Sequence, residues 1–89
     1  MSQSDSKAVT VRYFAAVREA LGTASEQVQT GAGTVEALRA QLRARGGNWA
    51  DELAPEKAVR VALNQVMLRG DKPLADADEG AFFPPVTGG

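Results

Sequence analysis

The sequence predicts an α+β roll, a mixed sheet of about four to five strands with one main helix across one face. Three observations carry this expectation. Val9, Val11 and Tyr13 alternate with Thr10 and Arg12, and Val59, Val61 and Leu63 alternate with Arg60 and Ala62. This is the period-two pattern of half-buried strands. Val35, Leu38 and Leu42 recur between them at helical spacing. The chain has 89 residues, so strands on both sides of one long helix belong to a single small domain.

The elements follow in order. Residues 1–7 are polar and read as a flexible N-terminal tail ahead of a domain over 8–83. After the first strand, Ala15 to Leu21 reads as a short helix closed by Gly22 at C′. Ser25 to Gln29 holds little apolar content and reads at best as a short edge strand. Gly31-Ala32-Gly33 is a loop. Thr34 is the expected N-cap of the main helix, with Glu36 in its first turn and Arg43 and Arg45 near its end, as the helix dipole favours. Gly46-Gly47 stops it, and its apolar stripe reads as core. Trp49 and Leu53 read as a satellite apolar cluster in a stretch that Pro55 limits. Asn64-Gln65 turns the second clear strand into a short return over Val66 to Leu68. Leu74 reads as a plug into the core. Asp76 to Gly80 is a turn leading into a final strand, Ala81 to Phe83.

Composition excludes several kinds of chemistry. The chain has no Cys and no His. Thiolate catalysis and the usual structural zinc sites are therefore impossible, and the commonest general base at neutral pH is missing. The net charge of −1 gives no basic field for nucleic acid. No stretch approaches the length of a membrane span, and the N-terminus has no apolar signal region, so a cytoplasmic protein is expected. After Lys72 there is no further positive side chain, while Asp76, Asp78 and Glu79 follow. This acidic turn reads either as a solvated loop or as a charged base that steers the tail towards a basic partner. Both readings can hold together.

The most informative segment is the last, 84–89, Pro84-Pro85-Val86-Thr87-Gly88-Gly89. Each proline fixes φ near −65° and removes a donor, and Pro85 pushes Pro84 towards extended geometry. A glycine pair then puts the carboxylate on the thinnest tether a polypeptide can make. Six residues can reach roughly 20 Å when extended, far enough to enter another protein's buried site. With no Cys or His, the Gly89 carboxylate is the one unusual functional group. At the root of this segment, Phe82 and Phe83 are strand neighbours and must point to opposite faces. One ring therefore points away from the helix. An exposed aromatic is common on monomers, but beside a stiff tail it favours partner binding. Which ring does so stays open at this point.

These residues resemble the family of molybdopterin synthase small subunits, the sulfur carriers of molybdenum-cofactor biosynthesis. The match is strongest over Asp76 to Gly89, DADEGAFFPPVTGG. It continues through Tyr13-Phe14-Ala15, Val17-Arg18-Glu19, Leu21-Gly22, Thr34 to Arg39, Trp49, Asn64-Gln65 and Pro73-Leu74, in the family's order, over nearly the whole chain after residue 8. The resemblance implies the ubiquitin-like β-grasp fold. It implies that Gly89 is adenylated by an E1-like enzyme, which uses ATP and magnesium, and is then converted to a thiocarboxylate by a sulfur donor such as a persulfide enzyme. It implies delivery of that sulfur to cyclic pyranopterin monophosphate in the large synthase subunit, within a heterotetramer. In this reading the chain binds no cofactor or metal itself and is not catalytic alone. Gly88 gives clearance, Pro84, Pro85, Val86 and Thr87 shape the inserted neck, and Phe82 and Phe83 divide core and partner packing. The sequence departs from the family where Ala77 stands for the usual Gly and Gly80 for a branched apolar residue. A φ > 0 at 77 would be strained with Ala, and Gly80 would weaken the start of the last strand.

Other readings share the glycine pair. The chain could carry sulfur for thiamine or thiolated-nucleoside synthesis. It could be a ubiquitin-like modifier that forms isopeptide bonds, or a simple interaction module for which Gly89 is dispensable. Phe-Phe-Pro-Pro before Val-Thr-Gly-Gly argues for the molybdenum branch.

Overall fold

A computed structural model describes residues 6–84. The elements in chain order are β1 (Lys7–Tyr13), α1 (Ala15–Leu21), β2 (Ser25–Thr30), α2 (Val35–Arg43), α3 (Gly47–Glu52), β3 (Arg60–Leu63), β4 (Val66–Met67) and β5 (Glu79–Phe83). The strands form one mixed sheet in the order β2-β1-β5-β3-β4. β1 and β5 run parallel at its centre, and the other pairs are antiparallel.

Alternation along β1 decides which face is covered. Val9, Val11 and Tyr13 are buried, and Arg12 is exposed. Phe82 of β5 joins them, fully buried. From the helical layer come Val17 and Leu21 of α1, Val35, Leu38 and Leu42 of α2, and Leu53 after α3. Leu74 plugs the same core, as its sequence setting suggested. Fully burying side chains of this size contributes roughly 1.5–3 kcal/mol each, which is the main source of stability in so small a domain.

The local signals act as their chemistry requires. Thr34 caps α2, its side chain accepting from the Ala37 N–H at 3.2 Å. Gly22 closes α1 in the left-handed conformation, and its N–H donates to the Arg18 carbonyl. Asn64 and Gln65 both have positive φ, 52° and 71°, as a two-residue turn between twisted antiparallel strands needs.

Several details differ from the sequence reading. β2 is a full six-residue edge strand paired with β1 from Ser25 to Thr30, because Val28 and Thr30 both face inward. α2 ends at Arg43, before the glycine pair. Residues 47–52 form a third helix, and Leu53 at its end lies in the main core with no exposure, not in a satellite cluster. Asn48 ties α3 to α1 by donating from Nδ2 to the Ala20 carbonyl at 2.7 Å. β1 begins at Lys7, whose ammonium donates to the Ala32 carbonyl.

Arg39 is the buried charge of the fold, 7% exposed. Its Nε donates to the Leu53 carbonyl, and its Nη2 donates to the carbonyls of Ala54 and Lys57. Three backbone acceptors thus replace water around the guanidinium and pin the α3–β3 connection to α2. Burial holds the Arg39 pKa below its ordinary value.

A second polar cluster sits between β1, β2 and the end of α2. The Tyr13 hydroxyl donates to Glu26 at 2.7 Å, and Arg45 pairs with Glu26 at 2.8 Å. Burial, then the Glu26 hydrogen bond, pushes the Tyr13 pKa well above its usual 10.0. Burial alone would raise the Glu26 pKa, but the Arg45 and Tyr13 hydrogen bonds outweigh it and hold that carboxyl below the usual range. Arg45 also lies over the Trp49 ring, 5.1 Å from its centroid. The Trp49 side-chain N–H is buried beneath Arg45. It is left without a partner among the described residues.

Candidate functional site

The site is built from the last strand outwards. Successive side chains of β5 point to opposite faces, so Phe82, fully buried, enters the core and Phe83 emerges half-buried on the opposite, helix-free face. Phe83 remains half-buried because Phe14 lies on it. The two rings stack with centroids 4.6 Å apart and planes 6° from parallel. The Phe14 N–H donates to the Phe82 carbonyl at 3.2 Å, which continues the central parallel pairing to the point where the segment departs. Arg12 lies over the Phe14 ring, 5.5 Å from its centroid, and pairs with Glu79 at 3.3 Å.

Strand register assembles the rest of the face. Ala62 of β3 lies opposite both Ala81 of β5 and Met67 of β4, so these three share the outer surface. Met67 is 46% exposed. The small alanines leave a shallow groove of about 340 Å³, bounded by Phe14, Phe83, Met67, Gln65, Arg12 and Glu79. It is apolar at its floor and charged along one side, and it begins where Phe83 leads into Pro84.

A second groove, of about 250 Å³, lies between α2 and the β3–β4 side. Two of its polar groups already have structural work. Asp71 accepts from the Glu36 N–H at 2.8 Å and from the Lys72 N–H, and these bonds, Glu36 first, lower its pKa. Arg39 holds the loop described above.

The acidic turn is a hydrogen-bonded structure. Asp76 accepts from the Ala8 N–H at 2.8 Å. Asp78 accepts from Asn64 Nδ2 at 2.9 Å and from the Ala75 N–H at 2.8 Å. The Glu79 N–H in turn donates to Asn64 Oδ1. Ala77 has φ of 70°, the left-handed geometry for which glycine is suited.

Of the residues singled out in the sequence, Phe82, Phe83 and Pro84 are described, with Phe82 in the core and Phe83 on the outer face. Pro85, Val86, Thr87, Gly88 and Gly89 lie outside the described residues. Sequence reasoning missed Arg12, Met67, Ala62 and Ala81 as parts of one surface. The available signal was their shared phase of alternation, which identifies a face only once the register between strands is known. No helix among the described residues is long and apolar enough to cross a membrane.

Comparison with known proteins agrees with this arrangement. Residues 11–89 match the ThiS family. The chain is 47% identical over 81 residues to the molybdopterin synthase sulfur carrier subunit of Escherichia coli K12, covering 91% of this chain and 99% of that protein. A solution structure of a Haloferax volcanii protein superposes with a TM-score of 0.84 at 26% identity, covering 100% of this chain and 92% of that one. Subunits of the Helicobacter pylori molybdopterin-converting factor, solved as a complex of subunits 1 and 2, match with a TM-score of 0.63 at 29% identity, covering 92% of this chain and 99% of the matched chain. The β-grasp expectation is met, with the short helix α1 as expected and one further short helix, α3, added. A profile match over almost the entire domain, and a relative of nearly equal length at this identity, place the chain in the ThiS family.

Proposed function

We propose that this chain is the sulfur-carrier subunit of a molybdopterin synthase, and that Gly89 is the atom-bearing end of the carrier. The observation that carries the reading is the root of the C-terminal segment. Phe83 is stacked on Phe14 beside an open apolar groove, and Pro84 follows directly from the central strand. This geometry favours a partner that covers the outer face while the segment enters its interior.

The chemistry follows from the terminal carboxylate. A carboxylate is a poor electrophile, so Gly89 attacks the α-phosphate of ATP on an E1-like partner, forming an acyl-adenylate and releasing pyrophosphate. ATP and magnesium belong to that enzyme. A persulfide-type donor then displaces AMP to give an acyl disulfide. A thiol cleaves its S–S bond, leaving the donor as a disulfide and releasing a thiocarboxylate that is ionised at neutral pH and nucleophilic at sulfur. In the large subunit the sulfur attacks an oxygen-bearing side-chain carbon of cyclic pyranopterin monophosphate, forming a C–S bond as that carbon's C–O bond breaks and the oxygen leaves. Cleavage of the acyl C–S bond by water leaves sulfur on the substrate and restores the Gly89 carboxylate. Two deliveries build the dithiolene. Holding the sulfur on an anchored segment raises its effective concentration at the substrate. General acid–base groups come from the large subunit, so this chain acts as a co-substrate.

A reconstituted transfer assay tests the reading. One residue added after Gly89 abolishes sulfur transfer while leaving the fold and partner binding nearly unchanged. Retained transfer contradicts the proposal, and higher-mass conjugates on lysines would favour a protein modifier.

A further inference from the structure

The outer face is not uniformly apolar. Arg12 stands opposite Ala81 and borders the same groove as Phe83 and Met67. Its side chain is 47% exposed and makes one hydrogen bond among the described residues, from Nη1 to Glu79 Oε2 at 3.3 Å. A guanidinium has five N–H donors in a planar fork. The remaining donors have no partner among the described residues, and about half of the side chain is open to water. The Phe14 ring beneath it holds the guanidinium in place, so little side-chain freedom remains to be lost on binding.

Of the nearby carboxylates among the described residues, only Glu79 is paired with Arg12. Asp76 and Asp78 are committed to backbone N–H groups and to Asn64. Arg60 lies directly opposite Phe83 on the next strand and is exposed. Arg12 thus stands beside Ala81, two residues before Phe83, and is the arginine that borders the groove, while Arg60 borders the second groove. A covering partner strips water from Arg12. The single contact to Glu79 leaves the other donors unsatisfied, a costly state once buried.

We infer that Arg12 is the specificity-determining residue of the docking face, and that the large subunit meets it with a carboxylate. This rests on the docking reading given above. The partner's carboxylate accepts from the outward edge of the fork while Glu79 keeps its present contact. A partner with a neutral or basic group at that place is rejected, because it would bury an unsatisfied cation.

The test uses the full chain and its own large subunit, with affinity measured by titration calorimetry at low and high salt. Arg12→Gln is expected to weaken binding about tenfold or more at low salt and to flatten the salt dependence. Arg12→Lys should recover part of the loss. The double swap Arg12→Glu with Glu79→Arg keeps the intramolecular pair and the fold, checked by thermal unfolding, and is still expected to bind poorly. Wild-type affinity and salt dependence in Arg12→Gln, or wild-type affinity in the double swap, would overturn the inference. Met67→Asp separates the two levels. If it abolishes binding while Arg12→Gln has no effect, the face docks the partner and only the role of Arg12 fails. If Met67→Asp also binds normally, the docking reading fails and the inference with it.

Discussion

Phe14 and Phe83 lie face to face across the end of the central parallel strands, one on either side of the point where β1 turns into α1 and β5 becomes the C-terminal segment. The stack joins the first strand to the last just where the chain leaves the fold. It also separates two neighbouring phenylalanines into different tasks. Phe82 is fully buried and belongs to the core, while Phe83 is half-buried and belongs to the surface.

That division predicts opposite mutational signatures. Phe82→Ala should cost about 3–5 kcal/mol of stability, a large share of what a domain this size has. Phe83→Ala and Phe14→Ala should each cost only about 1 kcal/mol from the lost stack, yet weaken large-subunit binding strongly. Denaturant unfolding and calorimetry on the same proteins check this. Equal destabilisation by Phe82→Ala and Phe83→Ala would contradict it.

Ala77 and Gly80 are each poorly matched to their backbone. Ala77 holds φ of 70°, and Gly80 lies inward in β5 with open space where a Cβ would stand. Ala77→Gly should relieve left-handed strain and stabilise by up to about 1 kcal/mol. Gly80→Ala should stabilise by about 0.4–1 kcal/mol through reduced freedom of the unfolded chain and better filling. The urea midpoints should rise in both and add in the double variant.

Arg39 should be irreplaceable by other cations. Arg39→Met keeps the stem but leaves the carbonyls of Leu53, Ala54 and Lys57 short of a donor, and a loss of about 2–3 kcal/mol is expected. Arg39→Lys cannot span the three acceptors with a planar fork and should rescue little. Full stability in Arg39→Lys would show that charge alone matters.

The Tyr13–Glu26–Arg45 cluster predicts an acid-sensitive component of stability. The folded pKa of Glu26 lies below its ordinary value of 4.5. Its contribution is therefore complete above the unfolded pKa and is lost as pH falls through the folded one. Stability measured from pH 7 downwards should decline more steeply below about pH 4.5 in the wild type than in Glu26→Gln. Parallel curves would remove Glu26 from this role.

Much of the fold was legible in the sequence because local and long-range requirements coincide there. Val9-Val11-Tyr13 and Val35-Leu38-Leu42 bury one face whatever their neighbours do, and Thr34, Gly22 and Asn64-Gln65 act through their own backbone. β2 was underestimated because its length comes from pairing with β1, not from its own apolar content. Leu53 reads from sequence as part of a satellite cluster because its core partners are distant along the chain. Alternation told that Phe82 and Phe83 diverge, but only sheet packing tells which one is buried. The outer face was hidden for the same reason, since Ala62, Ala81 and Met67 meet only through register. The Gly88-Gly89 end lies outside the described residues, and its chemistry is argued from the sequence, which offers no Cys or His to compete with it.

The most direct measurement is tandem mass spectrometry of the C-terminal peptide. The protein is incubated with its host's activating enzyme, ATP and a sulfur donor, then treated with a thiol alkylator under mild conditions. The chain has no cysteine, so an adduct at the terminus reports a thiocarboxylate. Mapping it to Gly89 also separates it from oxidation at Met67, which adds nearly the same mass as oxygen-to-sulfur exchange. Alkylated Gly89 is the predicted result. An unmodified Gly89, with the activating enzyme shown to be competent, would contradict the sulfur-carrier account.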